Sequence, residues 1–97
     1  MSMVVGVCRI ELGLPPIESI KGKRSIVKRI VNRTQQKFNV AMAEVDDLDD
    51  WGHATLGFCC IANDRRFVNS MLDTILNYIE GLGLAELRDQ EMEFITY

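Results

Sequence analysis

The hydrophobic pattern of this chain changes period several times, and this alternation limits the folds open to it more than any other feature. Residues 3–12 alternate with period two, which predicts a strand, and residues 20–37, after the N-cap candidate Ser19, repeat at helical spacing. Residues 38–45 and 53–62 return to strand spacing, and the second of these segments is apolar on both faces. That pattern is typical of a strand in the middle of a sheet.

The second half of the chain repeats the order of the first. Asn63 and Asp64 offer the next N-cap, and the helix that follows stops at Gly81. Residues 85–97 predict an outer strand, and its apolar parity slips near Asp89 and Gln90, which indicates a β-bulge or a break there. Two β-α-β halves with right-handed crossovers predict an α+β fold, the ferredoxin-like β-α-β-β-α-β sandwich, with a four-stranded antiparallel sheet and two helices on one face.

Length and composition fit one soluble domain over residues 1–97, which is too short for two independent cores. Eleven Lys and Arg residues against 14 Asp and Glu give a net charge of −3, which excludes a polyanion binder of the histone type. The three cysteines, two of them adjacent, fit reduced, buried thiols better than disulfides or a zinc ribbon. The N-terminus lacks a signal-peptide pattern and the apolar run 56–62 is too short for a membrane helix, so we expect a cytoplasmic protein with no membrane partner.

Positive charge is concentrated in one segment. Seven of the 11 basic residues fall within residues 21–37, which contain no acidic residue. Helical spacing places most of them opposite the apolar stripe, and cations so spaced match the phosphates of a nucleic-acid strand. A solvated helix face neutralised by acidic neighbours is the alternative, and the sequence leaves both open. The candidate nucleic-acid-binding residues are Lys21, Lys23, Arg24, Lys28, Arg29 and Arg33.

The connection between the second and third predicted strands is acidic, with four aspartates close to the only histidine, His53. It lacks the residue order of a calcium loop, so a solvated hairpin tip is favoured and we assign no metal. The chain also lacks a pairing of nucleophile and base, a phosphate-binding glycine loop and a nucleophile elbow. We therefore expect a protein that is not an enzyme, with no catalytic residues, no cofactor and no small-molecule substrate.

The sheet face turned away from the helices is expected to be apolar and uncovered. A continuous apolar patch on a soluble protein usually marks a partner surface, most simply a second copy of the chain. Scattered exposed valines, which need no partner, are the alternative. The oligomer-interface candidates are Val5, Val7 and Ile61. Base stacking on this face is not expected, because the central strands offer only Phe58, on the core side.

Residues 19–45 and 63–76 resemble the bacterial YlxP-like family. The most specific part is a Lys-x-Lys-Arg pattern at Lys21, Lys23 and Arg24. Two short motifs follow it, at residues 38–40 and 43–45. The family typically has an acidic residue where this chain has Gly22. The resemblance implies a ferredoxin-like fold, no established biochemical activity, and genes that often lie among those for translation initiation and ribosome maturation.

These features together predict an accessory protein of translation or ribosome maturation that binds RNA or a ribosomal partner through the basic helix. The alternative is a homo-oligomeric protein-interaction module that works through the open sheet face. In that case the basic helix would pair with acidic residues elsewhere in the chain.

Overall fold

Four strands and two helices follow the order β-α-β-β-α-β in the computed structural model, which describes residues 2–97. They are β1 (Val4–Gly13), α1 (Ile20–Lys37), β2 (Ala41–Asp46), β3 (His53–Ala62), α2 (Arg65–Gly81) and β4 (Glu86–Thr96). The strands form one sheet in the order β2-β3-β1-β4, and each neighbouring pair is antiparallel. The ferredoxin-like α+β fold predicted from the sequence is confirmed.

The core lies between the helices and one face of the sheet. Period-two alternation turns Cys8, Ile10 and Leu12 of β1 inward, and none of them keeps any exposed surface. α2 packs closely over β1 because Gly6 has no side chain: a Cβ added there would lie 2.9 Å from Cδ1 of Leu72. The central position predicted for β3 is confirmed, since it pairs with β1 on one side and β2 on the other.

The opposite side of the sheet, which carries no helix, is called the open face below. On β1 it consists of every second residue from Val5 to Glu11. On β3 and β4 it consists of the residues that pair with these, and on β2 it includes Ala41 and Ala43. Asp46 of β2, which pairs with Thr55, belongs to this face too, so five of the 14 acidic residues lie there, and β4 carries three of them.

Both helices begin at the N-caps that the sequence indicated. The Ser19 hydroxyl accepts a hydrogen bond from the Gly22 N–H at 3.0 Å, and the Asp64 carboxylate accepts one from the Phe67 N–H at 3.1 Å. These bonds satisfy N–H groups that have no partner inside the helix. No helix within residues 2–97 is both long and apolar enough to cross a membrane.

β2 begins at Ala41, three residues later than the apolar pattern indicated. Phe38 caps the end of α1 instead, where its N–H donates to the Thr34 carbonyl at 2.8 Å. Its ring packs edge-on against Tyr78 of α2, with the ring centres 5.4 Å apart. The apolar character of Phe38 therefore serves a contact between the two helices and not a strand.

β4 contains the irregularity that its parity slip predicted. Glu11 of β1 pairs with Asp89. The next residue, Leu12, pairs with Leu87, so Arg88 is the extra residue of a bulge. Since β4 is an edge strand, the bulge and its many charges also discourage pairing with another sheet.

Candidate nucleic-acid interface

α1 presents a basic side to solvent because its apolar residues are used against the core. Val27, Ile30 and Thr34 are buried on the inner side, and the Thr34 hydroxyl donates to the Ile30 carbonyl at 2.7 Å. Five exposed cations lie on the outer side and span about 18 Å at the helical rise of about 1.5 Å per residue. We call them the basic ridge: Lys21, Arg24, Lys28, Arg29 and Arg33.

The ridge cations form no ion pair with any acidic side chain of residues 2–97. Acidic residues are concentrated on the other side of the sheet and at the β2-β3 connection. No acidic side chain in contact with the ridge therefore cancels its positive potential. These acidic residues are Glu11, Asp46, Asp47, Asp49, Asp50, Asp89, Glu91 and Glu93. The structure gives the ridge no direct ion-pair partner within residues 2–97, and whether the ridge binds a polyanion or is a solvated face stays a prediction.

Lys23 does not belong to the exposed face, and the prediction that it binds nucleic acid is wrong. Its side chain is fully buried, and its Nζ lies 3.1 Å from Oε2 of Glu44 and donates to the carbonyl oxygen of Asp47. Oε2 of Glu44 accepts no hydrogen bond of good geometry from residues 2–97, so the contact with Lys23 is electrostatic. An ammonium group held there cannot reach a phosphate. It ties the first turn of α1 to the end of β2 instead.

Two aromatic rings adjoin the C-terminal end of the ridge. The Nζ of Lys37 lies 5.5 Å from the centre of the Tyr78 ring and 6.0 Å from that of Phe38. The Tyr78 hydroxyl also donates to the Arg33 carbonyl at 3.5 Å. Rings beside cations can stack on exposed bases. The sequence reasoning missed Tyr78, because helical periodicity does not show which part of α2 meets α1.

The acidic β2-β3 connection forms an ordered turn. Asp47 has a φ of 58°, in the left-handed region that Asp adopts more readily than most residues. Its carboxylate accepts from the Thr55 hydroxyl at 2.7 Å. His53 Nδ1 lies 3.9 Å from the Asp50 carboxylate. In the part of the chain that the structure describes, no three His, Cys, Asp or Glu side chains are grouped so that they could hold a metal ion.

The interface candidates lie together on the open face. Val5 pairs with Ile61 across the β1-β3 ladder, and Val7 pairs with Cys59. Ile61 is 58% exposed, while Val5 and Val7 are half-buried by their neighbours. Their use as an interface remains a prediction.

The cysteines differ in their surroundings. Cys8 is fully buried, and burial, with a smaller contribution from the charge of Asp73, raises the pKa of its thiol to about 11. Burial also raises the pKa of the Cys60 thiol, on the same side of the sheet. Cys59 is partly exposed on the open face. All three are free thiols, as the sequence indicated, but the burial that it also indicated is wrong for Cys59, because every second residue of β3 lies on the open face.

Fold and site together define a class: a ferredoxin-like α+β protein whose positive charge is gathered on one helix and whose negative charge is concentrated on the open face and the hairpin tip. The chain belongs to the DUF503 family, described as a protein of unknown function, whose model matches residues 5–92. It is 30% identical over 83 residues to "Uncharacterized protein YlxP" of Bacillus subtilis (strain 168), a match that covers 86% of this chain and 90% of that protein. The resemblance noted in the sequence is confirmed.

Two solved structures are similar over nearly the whole chain. The de novo designed protein Foldit4 is 19% identical, with a TM-score of 0.49, over 98% of this chain and 96% of that one. SnoaB, a cofactor-independent oxygenase from Streptomyces nogalater, is 13% identical, with a TM-score of 0.43, over 98% of this chain and 92% of that one. Nothing about function follows from likenesses of this degree.

Proposed function

We propose that this protein is a non-enzymatic accessory protein that binds the phosphate backbone of RNA, free or within a ribonucleoprotein, through the basic ridge. The observation that carries the proposal is the set of five exposed cations that have no acidic partner in residues 2–97. The rest of the chain is acidic, so this concentration of positive charge is local and directional. A polyanion approaching the helix side would be attracted and oriented by it.

The ridge has an energetic cost for the isolated protein, which a bound polyanion would remove. Arg24 and Lys28 are i,i+4 neighbours, as are Arg29 and Arg33, and each like-charge pair destabilises a helix by about 0.2–0.5 kcal/mol. Lys21 lies in the first turn, where the helix dipole disfavours a cation and where the chain has no acidic residue. Phosphates placed along the ridge would relieve both effects.

The chemistry favours backbone contacts over base recognition. On the open face the central strands β1 and β3 present no aromatic ring within residues 2–97, and acidic side chains lie beside them. Classical stacking of bases on the sheet is therefore unfavourable. Phosphate contacts position a strand without reading its sequence, so we expect weak sequence preference. Tyr78 and Phe38 could add stacking at one end of the ridge.

The biological setting rests on the family resemblance. Genes of the YlxP-like family often lie among those for translation initiation and ribosome maturation. A structured RNA or an immature ribonucleoprotein is thus the polyanion that we propose, and the buried Lys23 contact supports this role by holding the ridge on a helix anchored to the sheet.

Salt dependence of RNA binding tests the proposal. Single-stranded and structured RNAs are titrated by fluorescence anisotropy at several salt concentrations, and four or five phosphate contacts predict a slope of log affinity against log salt of about −3 to −4. Replacing Arg24, Lys28 and Arg33 together by Gln should reduce that slope by about 2 to 3. The melting temperature should change little, because exposed charges contribute little to stability.

A second triple variant controls for total charge. Arg65→Gln, Arg66→Gln and Arg88→Gln remove three exposed cations from outside α1 and lower the net charge by the same amount. Its salt slope should equal that of the parent. Absence of binding to either RNA at low salt, or equal loss in the two triple variants, would show that the ridge is a solvated face.

A further inference from the structure

Exposed apolar side chains are concentrated on the open face. Within residues 2–97 eight large hydrophobic residues are exposed, and five of them lie on this face: Met3, Val45, Ile61, Ile95 and Tyr97. Met3 and Tyr97 extend the β1-β4 ladder, since each N–H donates to the carbonyl of the other, at 3.1 and 2.7 Å. Such a concentration on a soluble protein marks a surface that is normally covered.

The two edges of the open face differ in shape. At the β4 edge Ile95 and Tyr97 project, 50% and 87% exposed. At the β2 edge Ala41, Ala43 and Gly57 are small, and they line a shallow apolar groove of about 350 Å³. A second groove, of about 300 Å³, lies beside it at the start of β2. The first half of the β2 edge is therefore recessed where the end of the β4 edge projects, whereas Val45, in the second half of β2, is itself 55% exposed.

Charge on the open face is also divided between the edges. Glu93 and Glu91 of β4 lie at the same sheet levels as the uncharged Ala41 and Ala43 of β2. At the third level Asp89 and Asp46 are both acidic, and the Arg9 guanidinium on the same face lies 3.6 Å from the Asp46 carboxylate. A two-fold axis parallel to the strands, lying between two stacked sheets, places the β4 edge of each copy opposite the β2 edge of the other. Glu91 then faces Ala43 of the second copy, and Ile95 faces the recess at the start of β2.

The size of the face suits this pairing. Four strands about 4.8 Å apart and ten residues at about 3.3 Å give a flat area of about 600 Å², before side-chain relief is included. Stable complexes bury about 600–1,000 Å² per partner, so sheet-on-sheet packing that covers the whole face reaches the lower end of that range. Packing on only the apolar part would not.

We infer that the open face is the interface of a homodimer, in which two sheets pack face to face with the projecting β4 edge of each copy on the recessed β2 edge of the other. At Glu93 and Glu91 the bulky, acidic β4 edge of each copy thereby packs against the small, uncharged part of the β2 edge of the other. The outer sides of both helices stay exposed. The inference is independent of the proposed RNA binding, which uses the opposite side of the molecule.

Sedimentation equilibrium measures the dimer, and lysines introduced at two places on the face should act in opposite directions. The parent should reach twice its monomer mass of 11.0 kDa at high micromolar concentration. Val7→Lys, at the centre of the face, should weaken association by more than about tenfold, because it buries an unpaired charge. Ala43→Lys should strengthen it about two- to fivefold, because the lysine meets Glu91 of the second copy. Ala43→Glu should weaken it.

A control variant, a replacement variant and the salt dependence keep the test decisive. Asn77→Lys adds the same charge on the exposed side of α2 and should leave association unchanged. Ile61→Lys replaces a 58% exposed side chain and serves in place of Val7→Lys if that variant fails to fold. A parent that stays monomeric, or equal weakening by Ala43→Lys and Ala43→Glu, would overturn the inference. The gain from Ala43→Lys should disappear at high salt, where the new pair is screened.

Discussion

Replacing Lys23 by Met should destabilise the protein strongly, although the residue belongs to a helix whose other cations contribute little to stability. The substitution leaves the Glu44 carboxylate without its counter-charge and the Asp47 carbonyl without its donor. Removing one partner of a buried ion pair costs about 3–5 kcal/mol. Because Glu44 keeps 16% of its side chain exposed to water, we expect the lower end of that range, about 3 kcal/mol.

The measurement is a urea unfolding curve at 25 °C, supported by a thermal melt. For a domain of this size each kcal/mol lowers the melting temperature by about 4–8 °C, so Lys23→Met should melt about 12–24 °C below the parent. Lys21→Met, two residues away and exposed, is the matched control and should change stability by less than about 0.5 kcal/mol. The double variant Lys23→Met with Glu44→Leu should recover most of the loss, because an apolar pair can replace a buried ion pair.

A small effect would refute this reasoning. If Lys23→Met loses less than about 1 kcal/mol, or no more than Lys21→Met, the lysine is not a buried counter-ion in solution. If the double variant is as unstable as the single one, the loss comes from the Asp47 carbonyl left without its donor and not from the stranded carboxylate.

Three further predictions concern the Gly6 contact with α2 and the cysteine thiols. Gly6→Ala should cost about 1–3 kcal/mol because its Cβ overpacks the contact with α2, while Gly81→Ala, which meets no atom within 4 Å, should melt close to the parent. In the folded protein a thiol reagent at pH 8 should modify Cys59 and spare Cys8, and urea should expose all three thiols. Since burial raises the pKa of Cys8 from 9.0 to about 11, the unfolded chain loses that proton first, so stability should fall as pH rises from 9 to 11, and Cys8→Ala should reduce this fall.

The elements of the fold could be predicted because their signals are local. The cap at Ser19, the central position of β3 and the bulge at Arg88 each follow from residues close together in the sequence. The start of β2 could not be predicted, because the apolar ring of Phe38 packs against Tyr78, forty residues away in the chain, and does not belong to a strand.

The burial of Lys23 depends on a distant partner, yet one sequence signal could have revealed it. Lys23, Val27, Ile30 and Thr34 recur at i, i+4, i+7 and i+11, the spacing of one helix side, and all four are buried. A lysine in such a stripe needs a counter-ion, which Glu44 supplies from β2. Charge counting along the chain groups Lys23 with its exposed neighbours and misses this.

Both helices lie on one side of the sheet, and this has a consequence for how the molecule could act on RNA. If the open faces pair, the two basic ridges point away from each other on opposite outer surfaces, separated by two sheets and two helical layers. Such a dimer could not clamp a single strand. It would join two separate RNA segments, holding them at a fixed spacing set by the thickness of four layers.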